Sequence, residues 1–369
     1  MLYINGKINR SYKDNFTLVT NQTEVPPLIQ NSNYKELIIK SNSPVDTSPK
    51  FIIDDYGNIS ALYLIERALN NSFPWPISFT KNVNTKYGFD QRLYMADTVF
   101  SWLSIKGGEY TEFSVSNSQE IFTVRDANIC NNVNGTRLNA ASIMDKAETG
   151  FHAFSTATGE ILGGLNVVAY QEPKTLLFQV VVINQQCTLL NSTMLENFLN
   201  NIVYNQCVVK FNVILYPNLV QSVYDLDNNE YLNFEQYQDP YVNPNIQKTT
   251  TEPQAIIDSC GQIFGNNNYV IFIVPPYIQN AGGYAYLGGR FGFVACSSNQ
   301  PVFFQTIAHE VGHMIGKLPD FYQSENPNAV LHYDTSNLMG YSVPIGTNTV
   351  LRKDQWDQIH KEVAGKWQY

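Results

Sequence analysis

The segment QTIAHEVGHMIG, residues 305–316, is the most informative stretch of this 369-residue chain. Apolar residues recur in it and just ahead of it at helical spacing, which predicts a largely buried helix that ends at Gly316. Histidines four residues apart lie one above the other on a helix, so the imidazoles of His309 and His313 can bind a single metal ion. Glu310 lies between them, beside the predicted ion.

Zinc is the metal that this arrangement favours. A catalytic zinc ion has three protein ligands and one open position, and it lowers the pKa of a bound water to about 7. Glu310 would be close enough to take a proton from that water. The chain contains only five histidines, and two of them are in this motif. We therefore expect one Zn²⁺ per chain, with a third ligand beyond Gly316.

The continuation of the motif resembles the metzincin metalloproteases, whose pattern is HExxHxxGxx[H/D] followed by a methionine turn. The match extends through Gly316, but Pro319 occupies the position of the third ligand. The run LPDFY, residues 318–322, resembles the LPDxY and LADxY segments of bacterial immune inhibitor A and IgA-peptidase groups, which implies Asp320 as the third ligand. Three other residues remain open as the third ligand: His332, Glu325 and Glu362. Glu362 would supply the ligand from a second helix, as in the gluzincins.

The run NLMGYS, residues 337–342, resembles the methionine turn of the same family. In metzincins this methionine forms an apolar floor beneath the histidines, which implies that role for Met339. Tyr341 matches the position of a tyrosine near the zinc in astacin-like, serralysin-like and pappalysin-like members. The resemblance implies that its hydroxyl stabilises an oxyanion, and a packed core tyrosine is the alternative.

The order of elements upstream agrees with that resemblance. Apolar runs, amphipathic spacing and a final helical pattern predict strands at 176–183, 208–215 and 269–274, and helices at 193–205, from 251 to about 264, and at 353–364. We predict an α+β fold: a metzincin-like catalytic domain over residues 166–369, with a twisted mixed sheet, an active-site helix and a C-terminal helix. A mostly β accessory domain, residues 1–165, would precede it.

Residues 284–294 read as a hairpin with Gly288 and Gly289 in a two-residue turn. In metzincins an edge strand just ahead of the zinc helix pairs with an extended substrate. The resemblance implies that this strand binds substrate, and four residues of it are the candidates: Tyr284, Ala285, Tyr286 and Leu287.

Composition limits the partners. A net charge of −9 and a pI near 5.1 argue against nucleic acid and anionic membranes. We find no apolar run of about 20 residues and no secretory signal in the first residues, although the weakly charged, polar surface favours export.

Five scattered cysteines leave the disulfide pairing open, and the oligomeric state is equally open. Residues 225–229, DLDNN, are similar to a calcium loop without its glycine and bidentate glutamate, so calcium is a minor alternative.

Together these features predict a zinc endopeptidase that hydrolyses extended polypeptide, with Glu310 as general base. Two alternatives are a metzincin-like binding or structural module with a structural metal, and a zinc amidase that acts on peptidoglycan.

Overall fold

The computed structural model describes residues 2–4, 7–9, 77–90, 100–116, 121–133, 135–158, 161–183, 187–219, 232, 234, 237, 251–260, 268–275, 282–320, 337–340 and 348–366. The chain divides into two compact units. The first comprises Met1–Thr85 and Phe89–Ala169, and the second comprises Lys86–Gly88 and Tyr170–Tyr369. The boundary that we expected after residue 165 falls inside the last strand of the first unit. Among the described residues, no helix is long and apolar enough to cross a membrane.

Among the described residues of the first unit, every secondary-structure element is a strand. The strands are β1 (Leu2–Ile4), β2 (Lys7–Asn9), β3 (Phe79–Thr80), β4 (Phe89–Asp90), β5 (Ser101–Lys106), β6 (Tyr110–Glu112), β7 (Ser114–Val115), β8 (Ile121–Val124), β9 (Cys130–Asn132), β10 (Arg137–Ala140), β11 (Lys146–Phe154) and β12 (Ile161–Tyr170). The largest sheet has the order β4-β5-β12-β11-β8, and a second has the order β6-β10-β9. Phe79, Phe113 and Phe151 pack in mutual contact in the core, with ring centroids 5.4–5.8 Å apart.

His152 lies on β11 among aromatic side chains, with its ring 5.5 Å from that of Phe100 and 6.2 Å from that of Phe154. Burial, and to a smaller extent the charge of Arg125, lower its pKa from 6.5 to about 4. The ring is therefore neutral in the folded chain at neutral pH, and it serves the packing of the first unit.

Acid should therefore destabilise the first unit through His152. The unfolded histidine binds a proton below about pH 6.5, whereas the folded one does so only near pH 4, so stability falls as the pH drops between these values. The full difference corresponds to roughly 3 kcal/mol, of which about 2 kcal/mol is lost by pH 5. Urea unfolding at pH 7 and pH 5 measures this loss of stability. In His152→Gln, which lacks the titrating ring, the loss between these two pH values should be about 2 kcal/mol smaller. An equal loss in the variant would contradict this prediction.

The second unit mixes helices and strands. Its elements are β13 (Leu176–Ile183), α1 (Ser192–Phe198, continuing as a π-helical turn at Leu199–Val203 and a 3₁₀ turn at Tyr204–Cys207), β14 (Phe211–Leu219), α2 (Glu252–Cys260), β15 (Tyr269–Val274), β16 (Gly283–Ala285), β17 (Phe291–Ala295), α3 (Gln300–Gly316) and α4 (Lys353–Lys366). Together with the β-rich first unit, this mixture of helices and strands confirms the α+β class.

Five strands of the second unit form one mixed sheet with the order β14-β13-β15-β17-β16. The first four are parallel, and β16 runs antiparallel to β17 at one edge. Strands β13 and β15 are almost entirely buried, as expected for apolar runs covered on both faces. Helix α3 packs against β16, β17 and α4, so the candidate metal-binding motif lies beside the antiparallel edge.

Helix α3 ends at Gly316, as predicted, but glycine is not the residue that takes the left-handed conformation. Gly316 is still helical, and Lys317 takes the left-handed conformation with φ of 50°. The Lys317 amide donates to the carbonyl of His313, and the Leu318 amide to that of Gly312, which satisfies the last turn. Glycine is needed at 316 for space instead, because a Cβ there would lie 2.6 Å from Cγ1 of Ile359 on α4.

Two other local details differ by one residue from the prediction. Helix α1 begins at Ser192, one residue ahead of the predicted start at 193, after an Asn191 cap whose side chain accepts from the Met194 amide. In the hairpin, the Gly289 amide donates to the Tyr286 carbonyl at 2.8 Å, which makes Leu287 and Gly288 the central turn residues. Gly288 has a φ of +72°, which explains the glycine at that position.

Candidate metal centre

Helix α3 carries a buried group of three residues that could hold a metal ion: His309, Glu310 and His313. Their ligand atoms all lie within 4.8 Å of one another. The helix begins at an Asn299 cap with proline in its first turn, and its buried face includes all three side chains. The spacing predicted from sequence therefore brings both imidazoles to the same place.

Backbone carbonyls fix the orientation of both rings. Nδ1 of His309 lies 2.8 Å from the carbonyl oxygen of Leu338, and Nδ1 of His313 lies 2.6 Å from that of Leu318. A carbonyl oxygen only accepts, so each Nδ1 carries the proton and donates it. In the neutral rings the lone pair is then on Nε2, the atom that faces the site, as is usual for histidines that bind metals.

Asp320 completes a triangle of ligand atoms. Its Oδ1 lies 2.9 Å from Nε2 of His309 and 3.4 Å from Nε2 of His313, and the two Nε2 atoms are 3.1 Å apart. Ligand atoms on a tetrahedral zinc ion at bond lengths of about 2.0–2.1 Å stand about 3.3 Å from one another. Two nitrogens and one carboxylate oxygen at this spacing fit zinc in both chemistry and geometry.

The electrostatics of the site favour a positive charge within it. Burial by itself lowers the pKa of His309, but the hydrogen bond to Asp320 and the charges of Glu310 and Asp320 outweigh it and raise that pKa to about 9. Burial likewise opposes the charged form of Asp320, yet both histidines hold its pKa below the ordinary value. The same triangle thus holds a proton or a cation, which compete for it.

Glu310 has a different environment. Burial raises its pKa above the ordinary value, and the charges of the two histidines oppose that shift. A carboxyl group with a raised pKa is better suited to exchange protons near neutral pH than an exposed one. Its carboxylate lies against the edge strand, because a Cβ at Gly283 of β16 would stand 2.6 Å from Glu310 Oε1.

The predicted methionine turn lies beneath the helix. Met339 is fully buried, and its Sδ would be 2.9 Å from a Cβ at Gly312, between the two histidines. The turn is held by Asn337, whose Oδ1 accepts from the Met339 amide at 2.9 Å and whose Nδ2 donates to Gln355 Oε1 on α4 at 2.8 Å. This loop also presents the carbonyl of Leu338 to His309.

The candidate substrate residues are at the sheet edge and in the turn that follows it. Tyr284 and Ala285 belong to β16, whereas Tyr286 and Leu287 come after it. The ring of Tyr284 stacks on Phe234 with centroids 4.4 Å apart. Two of the four residues are therefore in the strand itself.

Several predicted residues fall outside the described part of the chain: Tyr341, His332, Glu325 and the possible calcium loop at 225–229. Glu362, the gluzincin-type alternative, is described, and its Oε2 lies 3.0 Å from Nζ of Lys317. Asp320, by contrast, contacts both histidines.

Sequence reasoning missed the groups that orient the site. The carbonyls of Leu318 and Leu338 have no side-chain signature, since any residue can supply a carbonyl. Gly312 and Gly283 did carry a signal, because glycine inside a helix or strand often marks a close approach of another group.

Adding a methyl group at Gly312 should destabilise the second unit. Ala favours helix by up to about 1 kcal/mol over Gly, but overpacking against Met339 costs about 1–3 kcal/mol, so Gly312→Ala should lose about 1 kcal/mol. Gly365→Ala on α4 is the matched control, since a Cβ there meets nothing within 4 Å and should stabilise. Urea unfolding compares the two. Equal stabilisation by both would show that Met339 does not press on the helix.

Comparison with known proteins gives no family for this chain. No family model matches it, and no curated protein matches it. Among solved structures, a chain from "Structure of a chaperone-substrate complex" is similar at 11% identity, with a TM-score of 0.31. That similarity covers 62% of this chain and 38% of the other. The residues of the site are therefore the basis for its function.

Proposed function

We propose that this protein is a zinc-dependent endopeptidase of the metzincin type, which hydrolyses extended polypeptide. The observation that supports it most directly is that the Nε2 atoms of His309 and His313 and Oδ1 of Asp320 lie 2.9–3.4 Å from one another. Each ring is held in this orientation by a hydrogen bond that its Nδ1 donates to a backbone carbonyl. These three residues would hold the ion.

When bound, zinc would lower the pKa of water to about 7 and polarise the scissile carbonyl group. Glu310, buried beside the histidines, accepts the proton of the attacking water and passes it to the leaving amine nitrogen. Its approach to Gly283 keeps the carboxylate at the sheet edge, where a reacting carbonyl would lie. The resemblance gives Tyr341 the role of donor to the developing oxyanion.

A peptide substrate suits the surface beside the site. Strand β16 ends the sheet, and within the described residues it pairs on one side only, with β17. An extended segment can add to such an edge through main-chain hydrogen bonds, which require no particular side chains. Because Gly283 of β16 abuts Glu310, a segment added there would pass directly by the proposed base.

The proposal is tested by measuring zinc content and turnover of denatured casein on one purified sample. We expect one zinc per chain and cleavage that stops on chelation and returns with added zinc. Zinc without turnover of casein would instead support a binding or structural module. Turnover of peptidoglycan peptides without casein cleavage would support an amidase.

A further inference from the structure

Two half-buried cysteines in the second unit have their sulfur atoms in unusually close contact. Sγ of Cys187 lies 2.6 Å from Sγ of Cys296, although 109 residues separate them in sequence. Non-bonded heavy atoms normally rest about 3.5–4.0 Å apart, and a covalent S–S bond is about 2.05 Å long. We propose that Cys187 and Cys296 form a disulfide in the folded protein.

The two segments that this bond would join are already docked. Cys187 precedes helix α1, and Cys296 lies between β17 and the Asn299 cap of α3. Close by, Nε2 of Gln300 donates to the carbonyl of Leu189 at 2.9 Å. The Cys296 amide is itself paired with the sheet, donating to Val274. These hydrogen bonds hold the backbone near each cysteine and leave the two sulfurs within reach of one another.

Other uses of a cysteine pair fit less well. A nucleophilic or redox-catalytic cysteine has a lowered pKa, whereas burial, together with the hydrogen bond and charge of Cys296, raises the pKa of Cys187 to about 12. A metal site needs further ligands, and the potential metal-binding group found within the described residues is the one on α3, which contains neither cysteine. A structural crosslink is the role that remains.

The remaining cysteines account for the odd total. Cys130, Cys207 and Cys260 are all buried, and Sγ of Cys207 donates to the carbonyl of Tyr204 at 3.2 Å. Cys130 belongs to the first unit. We assign these three as reduced cysteines of the core, outside the proposed disulfide.

Oxidation by a small-molecule disulfide, such as oxidised glutathione, balances the reaction. The thiolate of one cysteine attacks the reagent, forms a mixed disulfide and releases one glutathione thiolate. The second cysteine then attacks the protein sulfur of that mixed disulfide and releases the other glutathione. Two electrons and the two thiol protons are thereby transferred to two glutathione molecules.

The bond would tie the start of α3 to the segment that precedes α1. It closes a loop of about 109 residues in the unfolded chain, which restricts the unfolded state more than a short loop would. The oxidised protein should therefore melt about 10 °C above the reduced one. His309 lies thirteen residues beyond Cys296, so zinc content should be the same in both states.

The test incubates the full-length folded protein with oxidised glutathione, quenches it in acid, denatures it and alkylates the free thiols. Intact mass should show three alkylated cysteines without reductant and five with it, and peptide mapping should recover the peptides of Cys187 and Cys296 as a linked pair. Cys130→Ser is the matched control, with two and four alkylated cysteines expected. Cys187→Ser should give no linked pair: without reductant Cys296 is either alkylated or carries one glutathione, and with reductant all four remaining cysteines are alkylated.

Five alkylated cysteines after oxidation would overturn the proposal, as would glutathione adducts on both residues or a bond between other cysteines. The outcome is independent of peptidase activity. A failure here leaves the metal centre untouched, and a failure of casein turnover leaves this bond untouched.

Discussion

Glu310→Gln is expected to reduce kcat/KM for a denatured protein substrate by about 10²–10⁴-fold while the chain keeps one zinc ion. Glutamine has the same shape, so it fits the space between Gly283 and the histidines, but its amide cannot accept the proton of the attacking water. The ion should stay, because two imidazoles and Asp320 supply its proposed ligands. Turnover of casein and metal analysis of the same sample measure the two effects.

Glu362→Gln is the matched control for that variant. It removes a carboxylate on α4 that pairs with Lys317, which follows α3. We expect its turnover to stay near that of the unaltered protein. Full activity in Glu310→Gln would exclude Glu310 as the base. Loss of zinc from Glu310→Gln would instead make Glu310 a ligand and require a different base.

Asp320→Ala is expected to weaken zinc binding by more than the roughly 10–100-fold that loss of an outer-sphere partner costs, and turnover should fall with it at limiting metal. Removing Oδ1 leaves two nitrogen donors, whereas a catalytic zinc site needs three protein ligands. The affinity is measured by competition with a chromogenic chelator. Unfolding at neutral pH in excess chelator checks that the variant is folded.

His332→Ala distinguishes the two remaining readings of the third ligand. If Asp320 is the ligand, His332→Ala should keep its zinc affinity. Retained affinity in Asp320→Ala, together with a loss in His332→Ala, would transfer the role to His332 and leave Asp320 as a partner of the metal-free histidines.

The sequence predicted the parts of this protein that repeat with a regular period. The apolar runs at β13 and β15 and the amphipathic spacing of α3 and α4 correspond to elements in the structure, because burial of a face imposes its period on the residues. The spacing of four residues between His309 and His313 likewise placed both imidazoles on the same side of the helix.

Features set by tertiary contacts were not predictable in the same way. Gly316 looked like a helix terminator, yet its role is to make room for Ile359, a residue that lies 43 positions further along the chain. The hairpin turn shifted by one residue, since two adjacent glycines offered two registers and only Gly288 takes positive φ. The carbonyl of Leu338 acts through the backbone, and a sequence pattern does not reveal which carbonyl a ring will meet.

The hydrogen bond from His309 to Leu338 has a consequence for biosynthesis. The imidazole is aimed by a carbonyl that leaves the ribosome 29 residues after it, while the ring of His313 depends on a group only five residues downstream. A nascent chain that has just completed α3 thus possesses both histidines but lacks the support that orients the first of them. The proposed hydrolytic activity should therefore arise only after Leu338 has also emerged and folded against α3.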